Sequence, residues 1–171
     1  DYSQMLKDEV ALSREKSKKI DVEPLIKSVV DDFNNIHKVK SGINISYSND
    51  NKNKYLINGI ENRIEQIIAN LLDNAISFSE NNKNIIVKVS KSDDQKNIII
   101  EVLDEGQGFK EKDTNKIFKR FYSNRPEKFG QHSGLGLNIV KNLVDLHNGS
   151  IKAFNRVDKK GARMEVILPT V

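Results

Sequence analysis

Cysteine is absent from this sequence of 171 residues. Without it the chain can form no disulfide and can offer no thiolate to a metal, which excludes disulfide-rich folds and cysteine-type zinc sites. The sequence also lacks a run near the roughly 20 apolar residues that a membrane-spanning helix needs, and its charged start has no signal-peptide pattern. Because the chain begins with Asp1 rather than Met, we expect it to be a piece of a longer protein.

An excess of one charge is lacking as well, since 28 basic and 24 acidic residues are interspersed and give a net charge of +4. No basic stripe with interleaved aromatic residues is present, and we expect no binding to nucleic acid. The P-loop motif, the protein-kinase motifs and a dinucleotide-binding GxGxxG are also missing. None of the three histidines has metal-ligand spacing or a triad partner. His147 is expected instead to contact the dipole at a helix C-terminus.

Apolar periodicity predicts helices that alternate with pairs of short strands. This order favours an α+β two-layer sandwich, in which one mixed sheet is covered by helices on one face. Residues 1–19 indicate the end of a further amphipathic helix. The other predicted helices span 21–41, 60–79 and 134–147, and the predicted strands span 43–48, 55–59, 85–90, 97–104, 150–156 and 162–169.

The connection 105–133 is unusually long for a compact domain, and connections of this length are commonly functional lids or disordered. Glycine is concentrated around it. Five of the nine glycines lie within 31 residues, which is what a backbone needs where it approaches a ligand closely. These are Gly106, Gly108, Gly130, Gly134 and Gly136.

Two polar groupings could bind a ligand. LDEGQGF (103–109) places Asp104 at the end of a predicted strand, where its carboxylate could accept from an amino group such as that of adenine. Asn70 and Asn74 share one face of a predicted helix, where an amide oxygen could bind Mg²⁺ and an amide NH₂ could donate to phosphate. The alternatives are an acidic turn after a strand and two solvated side chains.

A third grouping is GLGLNIV (134–140), where two glycines stand at the start of a predicted helix. Unpaired N–H groups at the positive end of a helix dipole suit phosphate. A tight helix entry flanked by core leucines would explain the same residues.

In this order and spacing, four segments resemble the ATP-binding catalytic domain of bacterial two-component sensor histidine kinases. That family is part of the superfamily that includes gyrase, mismatch-repair ATPases and heat-shock chaperones. The similarity covers 21–171, and the residues around RFYSNRP and FGQHSGLGL look most like envelope-sensing kinases of alphaproteobacteria. The matching segments are QIIANLLDNAISFS for the N box, DEGQGF for the G1 box, KIFKRFY for the F box and SGLGLNIVKNLVDLHNGSI for the G2 box.

The resemblance implies a Bergerat-type fold, with a mixed five-stranded sheet backed by three helices and a lid at 105–133 over Mg-ATP. Asp104 would accept from the adenine amine, and Asn70 would be the leading Mg²⁺ ligand. Arg120 would act with Asn70 in catalysis, where the lid meets ribose and phosphate. The further nucleotide contacts that the resemblance implies are Asn74, Ser77, Gly106, Gly108, Phe109, Tyr122, Arg125, Ser133, Gly134, Leu135, Gly136 and Leu137.

The sequence departs from the family pattern at Ser77, Ser123 and His132, where the family often has Lys, Arg and Gly. These departures concern the contacts to the triphosphate and leave the adenine site intact. Gln66 stands where hydrolytic members of the superfamily place a Glu as general base. Because an amide cannot accept a proton at neutral pH, we expect slow hydrolysis and transfer of the γ-phosphoryl group to a side chain.

The resemblance therefore implies an ATP-dependent protein-histidine kinase whose acceptor histidine lies on a dimerisation hairpin upstream. Residues 1–20 would be the end of that hairpin, and a response regulator receiver domain would be a further partner. The chain alone is expected to be a monomer and the whole protein a homodimer, with this part in the cytoplasm and the parent anchored in the inner membrane. Two alternatives are a related ATPase or serine kinase, and a degenerate nucleotide-binding module that docks a partner.

Overall fold

The computed structural model describes residues 16–52, 54–110, 114–119 and 135–171. Most of the predicted N-terminal helix, 1–15, lies outside these residues. At its predicted end, Lys18–Asp21 form a strand, so the prediction of helix up to residue 19 is wrong. The strand places Ile20 opposite Ile57, with both side chains buried. This pairing satisfies the backbone that a helix would have satisfied internally.

The remaining elements follow the predicted order, with boundaries that differ by one or two residues. The helices are α1 (Val22–Ser41), α2 (Glu61–Ser77) and α3 (Leu135–Leu146), and a short 3₁₀ helix spans Thr114–Phe118. The strands are β1 (Lys18–Asp21), β2 (Asn44–Asn49), β3 (Leu56–Gly59), β4 (Asn84–Lys91), β5 (Asn97–Leu103), β6 (Ser150–Asn155) and β7 (Ala162–Pro169).

A five-stranded sheet, in the order β2-β4-β5-β7-β6, forms one layer of the molecule. β2 and β4 are parallel and the other neighbours are antiparallel, which confirms the predicted mixed sheet. At its centre Ile100 lies between Val89 and Val166, and all three side chains are at most 1% exposed. Since β5 is the central strand, it brings the next residue, Asp104, to the middle of one end of the sheet.

The predicted pairing of residues 43–48 with 55–59 is wrong. β2 pairs with β4 instead, and β3 pairs with β1 in a separate two-stranded sheet. The connection between β2 and β3 does not close a hairpin: in it the carboxylate of Asp50 accepts from the backbone N–H of Lys91 at 2.9 Å, on the neighbouring β4, and from the hydroxyl of Tyr55. A polar turn between two strands therefore did not indicate which strands pair.

The three helices form the second layer. α1 contacts β2, α2 contacts β5 and α3 contacts β6, while neighbouring helices pack on each other. α1 begins and ends as predicted: the carboxylate of Asp21 accepts from the N–H of Glu23 at 3.0 Å, and Gly42 ends the helix with φ of 72°. The structure thus confirms the predicted α+β sandwich. Across the described ranges, none of the helices is long and apolar enough to cross a membrane.

His147 joins the end of α3 to the start of α2. Its Nδ1 lies 2.8 Å from the carbonyl oxygen of Leu143, and its Nε2 accepts from the backbone N–H of Ile60 at 3.3 Å. A ring that accepts at one nitrogen and donates at the other is neutral. The expected contact with the helix C-terminus exists, but it is a hydrogen bond of a neutral, buried side chain and not a charge–dipole interaction.

Candidate functional site

Asp104 leaves the end of β5 as a buried carboxylate, with the residue only 3% exposed. Its Oδ1 accepts from the backbone N–H groups of Gly106 at 2.9 Å and Ala162 at 3.0 Å. The side chain is held in one orientation at the mouth of the loop 104–109, as an adenine acceptor would need to be.

The far end of this loop is tied to the end of β6. The side chain of Asn155 accepts from the N–H of Phe109 at 2.6 Å and donates to the carbonyl of Phe109 at 3.0 Å. Gly108 has φ of 77°, and a Cβ there would lie 2.5 Å from Oδ1 of Asn155. The approach of Asn155 to the loop thus requires glycine at this position. The Phe109 side chain lies in the core, 8% exposed.

Asn70 and Asn74 lie on α2, which packs against β5, so the predicted polar face adjoins the strand that carries Asp104. Asn74 is only 9% exposed, and its amide forms no hydrogen bond with another described residue. One turn further on, the hydroxyl of Ser77 donates to the carbonyl of Asp73 at 2.9 Å.

The start of α3 supplies the predicted phosphate contacts that lie within the described residues. No described atom comes within 4 Å of a Cβ built at Gly136. Packing inside the described chain therefore does not require glycine here, in contrast to Gly108. Leu137 packs partly buried against the core. Asn138 donates from Nδ2 to the carbonyl of Phe118 at 2.9 Å and so joins α3 to the 3₁₀ helix.

Several predicted contacts lie outside the described residues, as does most of the predicted lid. The predicted contacts among them are Arg120, Tyr122, Arg125, Ser133 and Gly134, and the departures Ser123 and His132 lie there too. Gln66 is described: it accepts from Nη1 of Arg63 at 3.2 Å on the surface of α2. The arrangement leaves an amide, and not a carboxylate, at the position expected for a general base.

A cavity of about 340 Å³ lies beside the loop 104–109, between the end of α2 and the β6–β7 hairpin. Of the predicted contacts only Gly106 lines it, together with Phe78, Lys83, Lys159 and Lys160. Phe78 was not among the predicted site residues, although its place directly after the N-box-like segment was a usable signal. The cavity therefore adjoins the candidate site at the loop 104–109.

Glu105 closes one side of this cavity. Its carboxylate accepts from the N–H of Asn84 at 2.8 Å and from Nζ of Lys159 at 3.2 Å. The hydrogen bond from Asn84 is the main cause that holds the pKa of Glu105 below its usual value, and Lys159 contributes. The loop residue next to Asp104 is thus a fixed negative charge at neutral pH.

Comparison with known proteins identifies one family, similar curated sensor proteins and similar solved structures. A family model described as histidine kinase-, DNA gyrase B-, and HSP90-like ATPase matches residues 59–171. The sensor protein ChvG of Agrobacterium fabrum is 38% identical over 180 residues, which cover 99% of this chain and 30% of ChvG. The chain spans about three tenths of the length of the two curated ChvG relatives that it matches.

Solved structures show the same fold. The catalytic domain of histidine kinase ThkA in a nucleotide-free form matches with a TM-score of 0.78 and 25% identity, over 91% of this chain and 97% of that one. ThkA in complex with response regulator protein TrrA matches with a TM-score of 0.76 and 22% identity, over 99% of this chain and 47% of that one. These matches confirm the predicted fold, and the ChvG matches confirm the predicted likeness to sensor kinases of alphaproteobacteria.

Proposed function

Because this chain belongs to the family of histidine kinase-, DNA gyrase B- and HSP90-like ATPases, we propose that it binds Mg-ATP and transfers the γ-phosphoryl group to a histidine. The acceptor histidine would lie on a dimerisation domain joined to this one in the whole protein. Residues 1–20 would be the last part of that domain, and 21–171 the ATP-binding domain.

The observation that carries this proposal is the fixed, buried carboxylate of Asp104. A carboxylate held by two backbone N–H groups at the mouth of a glycine-containing loop is prepared to accept from an exocyclic amine. Its fixed position limits the loss of conformational freedom on binding, which favours affinity. Adenine carries such an amine and guanine carries an oxygen at the same place, so this group would favour ATP.

The α2 and α3 residues support binding of the triphosphate. The oxygen of Asn70 would be a ligand of Mg²⁺, which prefers hard oxygen donors. Mg²⁺, when bound, would neutralise charge on the transferring phosphoryl group. The buried side chain of Asn74 and the absence of any described atom within 4 Å of a Cβ built at Gly136 fit phosphate beside this face of α2 and the first N–H groups of α3.

Gln66 supports transfer to a side chain in preference to hydrolysis. Phosphoryl transfer depends mainly on positioning and charge neutralisation, and a histidine nitrogen brings its own lone pair, so no general base is needed. Water does need to lose a proton, and the Gln66 amide cannot take it. Arg120, at the lid, would neutralise charge that develops on the phosphates.

The partners and the location follow from the relatives. ThkA binds a response regulator, and we propose that a receiver domain takes the phosphoryl group from the acceptor histidine here too. The whole protein would be a membrane-anchored homodimer like a sensor kinase, with this domain in the cytoplasm.

The test mixes the chain with Mg-ATP and a separately made phosphoacceptor domain taken from a ChvG relative. We expect acid-labile, base-stable phosphate on the acceptor histidine. Asp104→Asn should abolish the label. In one orientation its amide NH₂ faces the adenine amine, so that two donors meet. In the other orientation the amide oxygen can accept from the amine, but the bond is no longer assisted by a negative charge. Asp93→Asn, which changes a carboxylate in an exposed turn, is the matched control and should label normally.

Two outcomes would contradict the proposal. ATP binding without any label on histidine would favour the degenerate docking module. Equal ATP affinity in Asp104→Asn and in the parent chain would remove Asp104 from the adenine site. A third variant, Gln66→Glu, should raise the rate of ATP hydrolysis if the missing base is what keeps hydrolysis slow.

A further inference from the structure

We propose that Arg156 and Asn155, at the end of β6, are positioning residues for adenine recognition, because they hold both ends of the loop that carries Asp104. This inference rests on the proposed function, and in particular on Asp104 as the acceptor for the adenine amine. Neither residue belongs to the four segments that resemble nucleotide-binding boxes.

Arg156 holds the first end of the loop. Its Nη1 donates to the carbonyl oxygen of Asp104 at 3.1 Å, and its side chain is only 4% exposed. The guanidinium is itself locked by Asp158, which accepts from Nε at 3.0 Å and from Nη2 at 2.9 Å. A guanidinium fixed by a two-point ion pair loses little freedom when it forms a third bond, so it acts as a rigid support for the Asp104 backbone.

The turn between β6 and β7 adds contacts at the same end. The N–H of Asp104 donates to the carbonyl of Ala162 at 3.0 Å, and the N–H of Ala162 donates to the Asp104 carboxylate. Gly161 has φ of 147°, and a Cβ there would lie 2.0 Å from the Asp104 carbonyl oxygen. The hairpin therefore contacts the backbone N–H, the carbonyl and the carboxylate of Asp104.

Asn155 holds the second end, through the two hydrogen bonds that it forms with the backbone of Phe109. Four residues lie between Asp104 and Phe109, and both ends are attached to two consecutive residues of one hairpin. A short loop fixed at both ends has few conformations left. The carboxylate of Asp104 consequently keeps its direction whether or not a base is present.

This attachment bears on specificity more than on affinity in general. A carboxylate of fixed direction forms a hydrogen bond when the base carries an amine at the facing position. When the base carries a carbonyl there, two acceptor oxygens face each other, no hydrogen bond forms and binding is weaker. If the loop could turn, the carboxylate would move away from the carbonyl and the penalty would fall. Loss of Arg156 should therefore reduce discrimination between ATP and inosine triphosphate, which carries an oxygen where adenine carries the amine.

The experiment measures the dissociation constants of ATP and inosine triphosphate for the parent chain, Arg156→Met and Arg163→Met. The parent should favour ATP by roughly tenfold or more. In Arg156→Met we expect ATP binding to weaken about tenfold, with inosine triphosphate changed less than about twofold. Arg163 is the matched control because it is likewise an arginine with two hydrogen bonds to carboxylate oxygens, at 3.1 Å each, but its partners are Glu101 and Glu165 on the outer face of the sheet.

The experiment distinguishes failure of the proposed function from failure of the positioning role alone. A parent chain that does not bind ATP, or does not prefer it, overturns the proposed function and this inference with it. A parent that prefers ATP together with an Arg156→Met variant of equal preference overturns the positioning role alone. An equal loss for both nucleotides also overturns it, since that is what general damage to the fold produces.

A second variant keeps the inference open to disproof if Arg156→Met does not fold. Asp158 is exposed, and Asp158→Asn removes the charge that locks Arg156 without removing any contact to the loop. We expect it to reduce the preference for ATP by about twofold to threefold. Arg156→Lys should restore part of the preference, because its ammonium can still donate to the Asp104 carbonyl. An unchanged preference in Asp158→Asn would overturn the proposed support of the loop.

Discussion

The two ends of the candidate site differ in how the protein supports them. The loop 104–109 is attached through backbone and side-chain hydrogen bonds to the β6–β7 hairpin, at distances between 2.6 and 3.1 Å. At the start of α3, no atom of the described residues lies within 4 Å of a Cβ built at Gly136. The end proposed for the base is thus held by contacts within the described chain, and the described residues supply no such contact at Gly136.

Glycine shows the difference most directly. Gly108 and Gly161 have positive φ, and a Cβ at either would meet another part of the chain at 2.5 Å or less. Glycine is therefore required at both positions by contacts within the fold. Among the described residues nothing at Gly136 supplies such a cause. The described packing therefore accounts for glycine at Gly108 and Gly161 and leaves the proposed phosphate contact at Gly136 as a prediction.

The largest expected effect is that of Gly161→Ala, which breaks the support at the base end. The new methyl group would meet the Asp104 carbonyl oxygen at 2.0 Å, and φ of 147° is unfavourable for any residue with a Cβ. We expect a loss of about 3 kcal/mol or more in the free energy of unfolding, measured with urea. Loss below about 1 kcal/mol would mean that the turn is not held against Asp104 as the structure has it.

His147→Ala should have the next largest effect, because it detaches the far end of α3 from α2. The substitution removes a buried ring and leaves the N–H of Ile60 without its acceptor. We expect a loss of roughly 2–3 kcal/mol in the free energy of unfolding. His37→Ala is the matched control: His37 lies on the surface of α1 against Phe33, and its loss should cost less than about 0.5 kcal/mol. Equal effects of both variants would contradict the role assigned to His147.

Gly136→Ala tests the open end of the site. It should leave the free energy of unfolding unchanged or raise it by less than about 1 kcal/mol, since alanine favours helix. The affinity for ATP should fall about tenfold if phosphates approach the backbone here. The affinity for adenosine, which has no phosphate, should not change. A variant that binds ATP like the parent would place the phosphates elsewhere.

The sequence predicted the local structure well because the signals are local. The apolar periodicity of α2 and the predicted bounds of α1, at residues 21 and 41, depend on neighbours in the chain, and the structure has both helices within two residues of the prediction. The resemblance to a known family predicted the mixed five-stranded sheet and the three helices that cover it. The pairing of β3 with β1 was not predictable in this way, because it joins residues about 40 positions apart that carry no turn signal between them.

The support of the loop 104–109 was missed for the same reason. Arg156 lies 52 residues from Asp104 in the sequence, and nothing about an arginine near the end of a strand indicates which carbonyl it contacts. Gly108 was predicted to make room for a base, and the structure supplies a different neighbour, Asn155. Its role as a nucleotide contact stays a prediction. Long-range hydrogen bonds become visible only when the sheet has brought their residues together.

The smallest expected effect concerns pH at the base end. The pKa of Glu105 is held below its usual value, first by the N–H of Asn84 and then by Lys159. A carboxyl whose pKa is lowered on folding stabilises the fold above its unfolded pKa of about 4.5, and loses that contribution as pH falls through its folded pKa. The free energies of unfolding of the parent and of Glu105→Gln should therefore differ by at most about 1 kcal/mol near pH 7, and the difference should shrink below pH 4.5.

Glu80→Gln, which changes an exposed residue beside the same cavity, is the control and should show no such trend. If the difference in free energy of unfolding between the parent and Glu105→Gln grew as pH fell, the ionised Glu105 carboxylate would not stabilise the fold. The loop would then not be held by that charge.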